Sequence, residues 1–169
     1  MQNILNTIKD LNKWRKDYKG NINFVPTMGN LHLGHKFLIE SASKLNQNKT
    51  LVSIFVNPLQ FDNLEDFKNY PKSASKDIEN AFSSGANAIF IPSYHEIFPK
   101  KNEPNFLKAS KQISSTLCGA KRPGHFDGVC RAVYRLLNIV NPEIMILGEK
   151  DWQQILILKE MIKSNNMKI

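Results

Sequence analysis

Only two cysteines occur in the chain, Cys118 and Cys130, and neither stands in a CxxC or a metal-ligand spacing. Dithiol redox and thiolate-metal chemistry are thereby excluded, and a reduced, cytoplasmic setting fits. No apolar run approaches the roughly 20 residues of a membrane-spanning helix, which excludes one. Met1 to Trp14 alternates apolar and polar residues where a secretory leader would be continuously apolar, so no leader is read there. Neither a GxxxxGK[ST] loop nor a GxGxxG turn is present, which removes the two usual phosphate cradles. Acidic residues are few, 15 against 23 basic, for a net charge of +8. Such an excess invites a nucleic-acid reading, because phosphate backbones reward clustered Lys and Arg. Nineteen of the 23 are lysines, however, scattered among many Asn and Ile with no RNA- or DNA-binding motif beside them. The charge is read as compositional, and neither a nucleic acid nor a membrane is expected as partner.

What is present is an alternation of short apolar runs with helix-period segments, the pattern of a parallel α/β sheet. At 169 residues the chain fits one domain. Ile4, Ile8, Leu11 and Tyr18 predict a first helix that Gly20 can end. Ile22 to Val25 reads as a strand closed by Pro26, followed by a helix over 34–46. The run from Leu51 to Val56 is nearly all apolar, as in a central strand buried on both faces. Ala74, Ile78, Ala81 and Phe82 mark a helix stopped at Gly85, and Ala88 to Ile91 a third strand closed by Pro92. Leu107, Ile113 and Leu117 suggest a helix; Val129, Val133, Leu136 and Val140 define one that ends before Pro142. Glu143 to Leu147 is the fourth strand, after which Asp151 can cap a helix carrying Ile155, Leu158 and Ile162. Met167 to Ile169 reads as the start of another strand. Arg131 and Arg135, four apart, read as a solvated helix face.

The strongest chemical signal is Pro26-Thr27-Met28-Gly29-Asn30-Leu31-His32-Leu33-Gly34-His35, between a strand and a helix. It is an HxGH pattern, with His32 and His35 on one face of a helical first turn. Its glycines let the backbone approach a ligand where a Cβ would collide. N–H groups and the positive dipole end at a helix start attract phosphate, and two imidazoles add donors that can follow charge developing on a phosphoryl group. Three further segments complete the set: Ser53-Ile54-Phe55-Val56-Asn57-Pro58-Leu59-Gln60-Phe61, Arg122-Pro123-Gly124-His125-Phe126 and Gly148-Glu149-Lys150-Asp151-Trp152-Gln153-Gln154. Asn57-Pro58 ends a buried strand at its carboxyl edge, where open α/β sheets bind ligands. Gln60 there offers two donors and an acceptor to a small acid bearing hydroxyls. Lys150 is a point charge suited to phosphate. Asp151 reads equally as an N-cap or a direct contact. His125 reads equally as a cleft residue or a hydrogen-bonded turn histidine, and Asp127 carries no assigned contact.

In these four segments, taken in order, the chain resembles the pantothenate synthetases of the HxGH nucleotidyltransferase superfamily. The resemblance implies a Rossmann-like α/β fold: a parallel sheet of at least four strands with helices on both faces, the histidines side by side at the carboxyl edge of Ile22–Val25. It implies one nucleotide-binding domain over 1–169, without the family's second ATP loop (an SSRN-like run) and C-terminal domain. It implies condensation of pantoate with β-alanine in two half-reactions. Pantoate carboxylate attacks the α-phosphate of ATP, giving pantoyl adenylate and pyrophosphate; the β-alanine amine then displaces AMP. Mg2+ enters bound to the nucleotide, with no metal site of the protein's own. His32, His35 and Lys150 are the implied catalytic residues, in electrostatic roles. Met28, Gly29, Asn30, Leu31, His32, Leu33, Gly34 and His35, with Gly148, Glu149, Lys150 and Asp151, are the implied ATP contacts. Gln60 and Gln154 are implied for pantoate and Gln60 also for β-alanine, while Gln153, about 100° around the helix from Gln154, is structural. A cytoplasmic homodimer is implied. Another HxGH adenylyltransferase and a basic binding module are the competing readings.

Overall fold

Successive residues of a strand face opposite sides of its sheet, so a sheet covered on both faces needs unbroken apolar runs. Phe24-Val25 and Leu51-Val52 supply them: Phe24 and Leu51 enter one apolar cluster, Val25 and Val52 another on the opposite face. In the computed structural model, residues 2–71, 73–99 and 111–169 are described. They form β1 (Asn3–Leu5), α1 (Ile8–Asp17), β2 (Ile22–Thr27), α2 (Leu33–Leu45), β3 (Lys49–Ile54), α3 (Leu64–Asn69) and α4 (Ala74–Ser83). Then follow β4 (Ala88–Phe90), α5 (Tyr94–Ile97), α6 (Lys111–Ser114), α7 (Leu117–Lys121), α8 (His125–Val140), β5 (Ile144–Met145) and α9 (Trp152–Ser164). The five strands pair in parallel in the order β1-β4-β3-β2-β5. Helices α1, α8 and α9 contribute to the first cluster, α2 and α4 to the second. The expected α/β architecture, Rossmann-like and parallel, is the one observed. Among the described residues no helix is long and apolar enough to cross a membrane.

Local differences have local causes. Ile4 is not helical. It sits in β1 opposite Ile89 of β4, and the helix starts only at Ile8, where Thr7 and Asp10 form a reciprocal capping box. Pro26 does not close β2, which runs on to Thr27. The carbonyls of Ile22 and Phe24 face β5, so Pro26, on the same register, turns its missing N–H to the side where β5 has already ended. Leu107 lies outside the described residues, and Ile113 and Leu117 fall in separate short helices, the second opening at Leu117 with φ +48°. No ladder forms at Met167–Ile169; Asn166 turns left-handed at φ +51° and the Met167 N–H returns to the Ile162 carbonyl. Arg131 and Arg135 are not a solvated face. Arg135 donates to the Ile97 carbonyl at 2.7 Å, meeting the end of α5, and the Arg131 guanidinium lies 5.8 Å from the Phe98 ring centroid.

Candidate active site

The chain builds from β2 outward through β3 and β4, then returns to the opposite side of β2 with β5. Helix α2, which follows β2, covers one face of the sheet and α9, which follows β5, the other. Such a reversal of strand order opens a crevice at the carboxyl ends of the two strands. All three glutamine, histidine and lysine segments singled out in the sequence reach it.

The turn after β2 is held from behind. Thr27 Oγ1 donates to the Ser53 carbonyl at 2.7 Å and accepts from the Gly29 N–H at 3.2 Å. Gly29 and Asn30 are left-handed, at φ +84° and +52°. A Cβ on Gly29 would lie 2.9 Å from an Asp77 carboxylate oxygen, so this position needs glycine for space as well as conformation. Asp77 projects from α4 with 2% of its surface exposed, accepting the Asn30 N–H at 2.8 Å and the Leu31 N–H at 2.7 Å.

His32 and His35 then cap α2 as a reciprocal pair. His32 Nδ1 accepts the Gly34 N–H at 3.1 Å, and His35 Nδ1 accepts the His32 N–H at 3.4 Å. The ring centroids are 4.1 Å apart. Because a backbone N–H can only donate, both Nδ1 atoms are unprotonated, and each neutral ring carries its proton on Nε2. The pair thus acts as both the cap of the helix and a source of two imidazole donors. Burial holds the His35 pKa below its ordinary 6.5, with His32 and Lys150 adding to the effect. His35 is therefore expected to titrate below 6.5 in an NMR titration of the ring protons; a midpoint above 6.5 would contradict the neutral-donor assignment.

Two cavities adjoin here. The larger, about 480 Å³, runs between the start of α2 and the Gly148–Asp151 segment, with His32, Gly34, Lys150 and Glu149 on its walls. The smaller, about 190 Å³, is lined by Met28, Asn57, Gln60 and Tyr70 together with Val129, Val133 and Leu136 of α8. His35, Asp151 and Gln154 line both. Lys150 and Asp151 are exposed in a 3-10 turn, and Asp151 occupies the cap position of α9 without a side-chain cap bond. Gln60 is oriented at its side chain by Asn57, which donates to its Oε1 at 3.0 Å, and by donating to Met28 Sδ. Among the described residues no group of three or more His, Cys, Asp or Glu side chains is arranged to hold a metal.

Other residues of the predicted set lie elsewhere. Gly29, Asn30 and Leu31 line neither cavity; their backbone is directed at Asp77 and Thr27, and the Leu31 side chain is buried in the core. Leu33 is 83% exposed. Gln153 is buried and ties α9 to the α6–α7 segment, accepting from the Cys118 N–H and donating to the Ile113 and Thr116 carbonyls. His125 lines neither cavity and contacts the Gln60 backbone carbonyl. Asp77, Asn57 and Tyr70 were not among the predicted contacts. Asp77 left a trace: it shares the stripe Ala74, Ile78, Ala81, and a carboxylate on an apolar helix face needs a partner. Burial, with Asp77 nearby, raises the Tyr70 phenol's pKa.

The profile of the family described as pantoate-beta-alanine ligase matches residues 3–169. Two proteins named bifunctional pantoate ligase/cytidylate kinase, from Prochlorococcus marinus strains MED4 and AS9601, are 58% and 55% identical over 98% of this chain. The chain spans about a third of the length of these curated relatives, 33% of each. A crystal structure of pantoate-beta-alanine ligase from Francisella tularensis, complexed with beta-gamma ATP and beta-alanine, superposes with a TM-score of 0.92 at 38% identity, over 99% of this chain and 64% of that one. Pantothenate synthetase from Thermus thermophilus gives 0.89 at 34% identity, over 98% and 59%.

Proposed function

The chain belongs to the pantoate-beta-alanine ligase family, and we propose that it binds ATP and pantoate and forms pantoyl adenylate, the first half of the condensation of pantoate with β-alanine. The observation that carries this reading is the meeting of two cavities at His35, Asp151 and Gln154. One is walled by imidazole, lysine and a helix start, the other by amides and aliphatic side chains. An adenylation needs two different pockets sharing one wall, so that an acid in one can reach a phosphate in the other.

ATP, with Mg2+ as part of the substrate, occupies the larger cavity. His32, His35 and Lys150 face its phosphates, beside Gly34, Gly148, Glu149 and Asp151. Met28 lines the smaller cavity rather than the ATP cavity, and the turn Gly29–Leu33 supports the site as the loop that carries the histidines. Pantoate occupies the smaller cavity, its hydroxyls and carboxylate toward Gln60 and Gln154 and its methyl groups toward Val129, Val133 and Leu136. A pantoate carboxylate oxygen bonds to the α-phosphorus as the bond to the pyrophosphate oxygen breaks, and pyrophosphate leaves with its metal. The β-alanine amine, next to Gln60, then attacks the acyl carbon, loses a proton and displaces AMP. No enzymic nucleophile is required, because the carboxylate is one. What is required is alignment of two anions and donors for the phosphoryl oxygens. The protein is proposed to work as a cytoplasmic homodimer.

Mixing the full-length protein with ATP and pantoate, without β-alanine, should release pyrophosphate in an amount close to that of the protein. Release independent of pantoate would end the proposal. Gln60→Ala and Gln154→Ala should each raise the pantoate requirement about fivefold, the worth of one hydrogen bond of about 1 kcal/mol, and leave the ATP requirement nearly unchanged. Steady-state KM values for the two substrates check this, and unchanged pantoate KM in both variants would remove the glutamines from the site.

A further inference from the structure

The backbone of Gln60 is gripped from a side that neither cavity sees. Its carbonyl oxygen takes a hydrogen bond from Arg122 Nη2 at 3.1 Å and lies 2.7 Å from His125 Nδ1. Arg122 Nη1 stands 3.2 Å from His125 Nε2. A guanidinium only donates, so Nε2 is the acceptor, and Nδ1 carries the ring proton and donates to the carbonyl. Arg122 also closes an ion pair with Asp62, two residues beyond Gln60, at 2.9 Å, so the guanidinium straps residues 60–62 to the start of α8. The junction is close-fitting elsewhere too. Asn57 Nδ2 donates to the Gly128 carbonyl at 3.0 Å, and a Cβ on Gly128 would fall 2.1 Å from the Leu59 carbonyl oxygen.

We propose that Arg122 and His125 are positioning residues for the small-acid pocket: by converging on the Gln60 carbonyl they fix the Pro58–Gln60 turn where its amide can meet the substrate. This rests on the pocket assignment above. Neither side chain lines the cavity, so both act through Gln60. The arrangement is also sensitive to protonation. A proton on His125 Nε2 replaces an acceptor with a second cation facing Arg122, and the strap loses that bond. Burial of the ring favours the neutral form and lowers its pKa, and Arg122 adds to this, against the raising effects of the Gln60 carbonyl, Asp62 and Asp151. Lowering the pH through the histidine range should therefore loosen the grip on Gln60 and weaken binding of the acid.

The test is calorimetric titration of the full-length protein with pantoate and, separately, with ATP. His125→Ala and Arg122→Gln should each raise the pantoate Kd about three- to tenfold, as loss of one hydrogen bond allows, with the ATP Kd unchanged. His125→Asn puts an amide N–H where Nδ1–H was and cannot titrate. It should restore pantoate affinity and lose that part of the weakening between about pH 7.5 and 5.5 that the wild type shows. Equal weakening of pantoate and ATP in His125→Ala would reduce the residue to general support and overturn the inference. So would unchanged pantoate binding in both His125→Ala and Arg122→Gln, or wild-type acid dependence in His125→Asn. A wild-type protein that binds no pantoate would instead overturn the pocket assignment itself.

Discussion

Replacing His35 with alanine is expected to slow pantoyl-adenylate formation by about 10²–10³, the usual cost of removing one donor aimed at developing charge. Ground-state binding of pantoate should change little. Charge redistributes over the phosphoryl oxygens only as the α-phosphate is attacked, so a donor there acts selectively on the transition state. The capping geometry sharpens the test. His35 Nδ1 accepts from the His32 N–H, which leaves Nε2–H as the group available to the larger cavity. His35→Asn can keep the acceptor at the Nδ1 position but has no donor at Nε2, so it should hold the turn and stay slow. His35→Gln can extend an amide N–H toward the Nε2 position and should recover part of the rate. Recovery by Gln, which is no acid near neutral pH, would exclude proton transfer as the residue's role. Single-turnover measurement at saturating ATP and pantoate separates these outcomes, and a wild-type rate in His35→Ala would leave the pair as a helix cap alone.

The adjacency of His32 and His35 was legible because spacing and helix position together determine it: residues three apart in a first turn share a face. The same holds for Gly148–Asp151, which follows a strand and opens a helix, and for Gln153 against Gln154, whose separation around α9 sends one into the core and one to both cavities. β1 was not legible. Three residues carry no period, and what makes Asn3–Leu5 a strand is the free edge of β4 some 85 residues on, a non-local fact. Pro26 misled for a related reason. Proline excludes a ladder bond only where a neighbouring strand is present to accept it, and β5 stops short. His125 showed its chemistry but not its partner, because the carbonyl it meets is 65 residues away.

Asp77 is the largest omission, and its removal should have consequences for both stability and chemistry. Its two oxygens take the Asn30 and Leu31 N–H groups, and Leu31 is buried, so Asp77→Ala leaves at least one amide without a partner or water. Charge-assisted bonds of this kind contribute about 1.5–3 kcal/mol each, which for the two predicts a loss of at least about 3 kcal/mol and a fall in Tm of at least about 6 °C for a chain of this size. Asp77→Asn keeps one acceptor but turns an NH₂ toward the second amide, so it should recover less than half of the loss. The catalytic effect follows from geometry: Asn30 and Leu31 immediately precede His32, and a displacement of about 1 Å at a reacting centre costs on the order of 10² in rate. A destabilised but correctly assembled protein provides the control. Leu11→Ala, in the core of the opposite face, should cost about 2–5 kcal/mol with no effect on the turn. If Asp77→Ala slows adenylate formation about 100-fold at a temperature where both variants are folded, while Leu11→Ala does not, the carboxylate is what holds the histidines in register. Equal rates in the two variants would leave Asp77 as a contributor to stability alone.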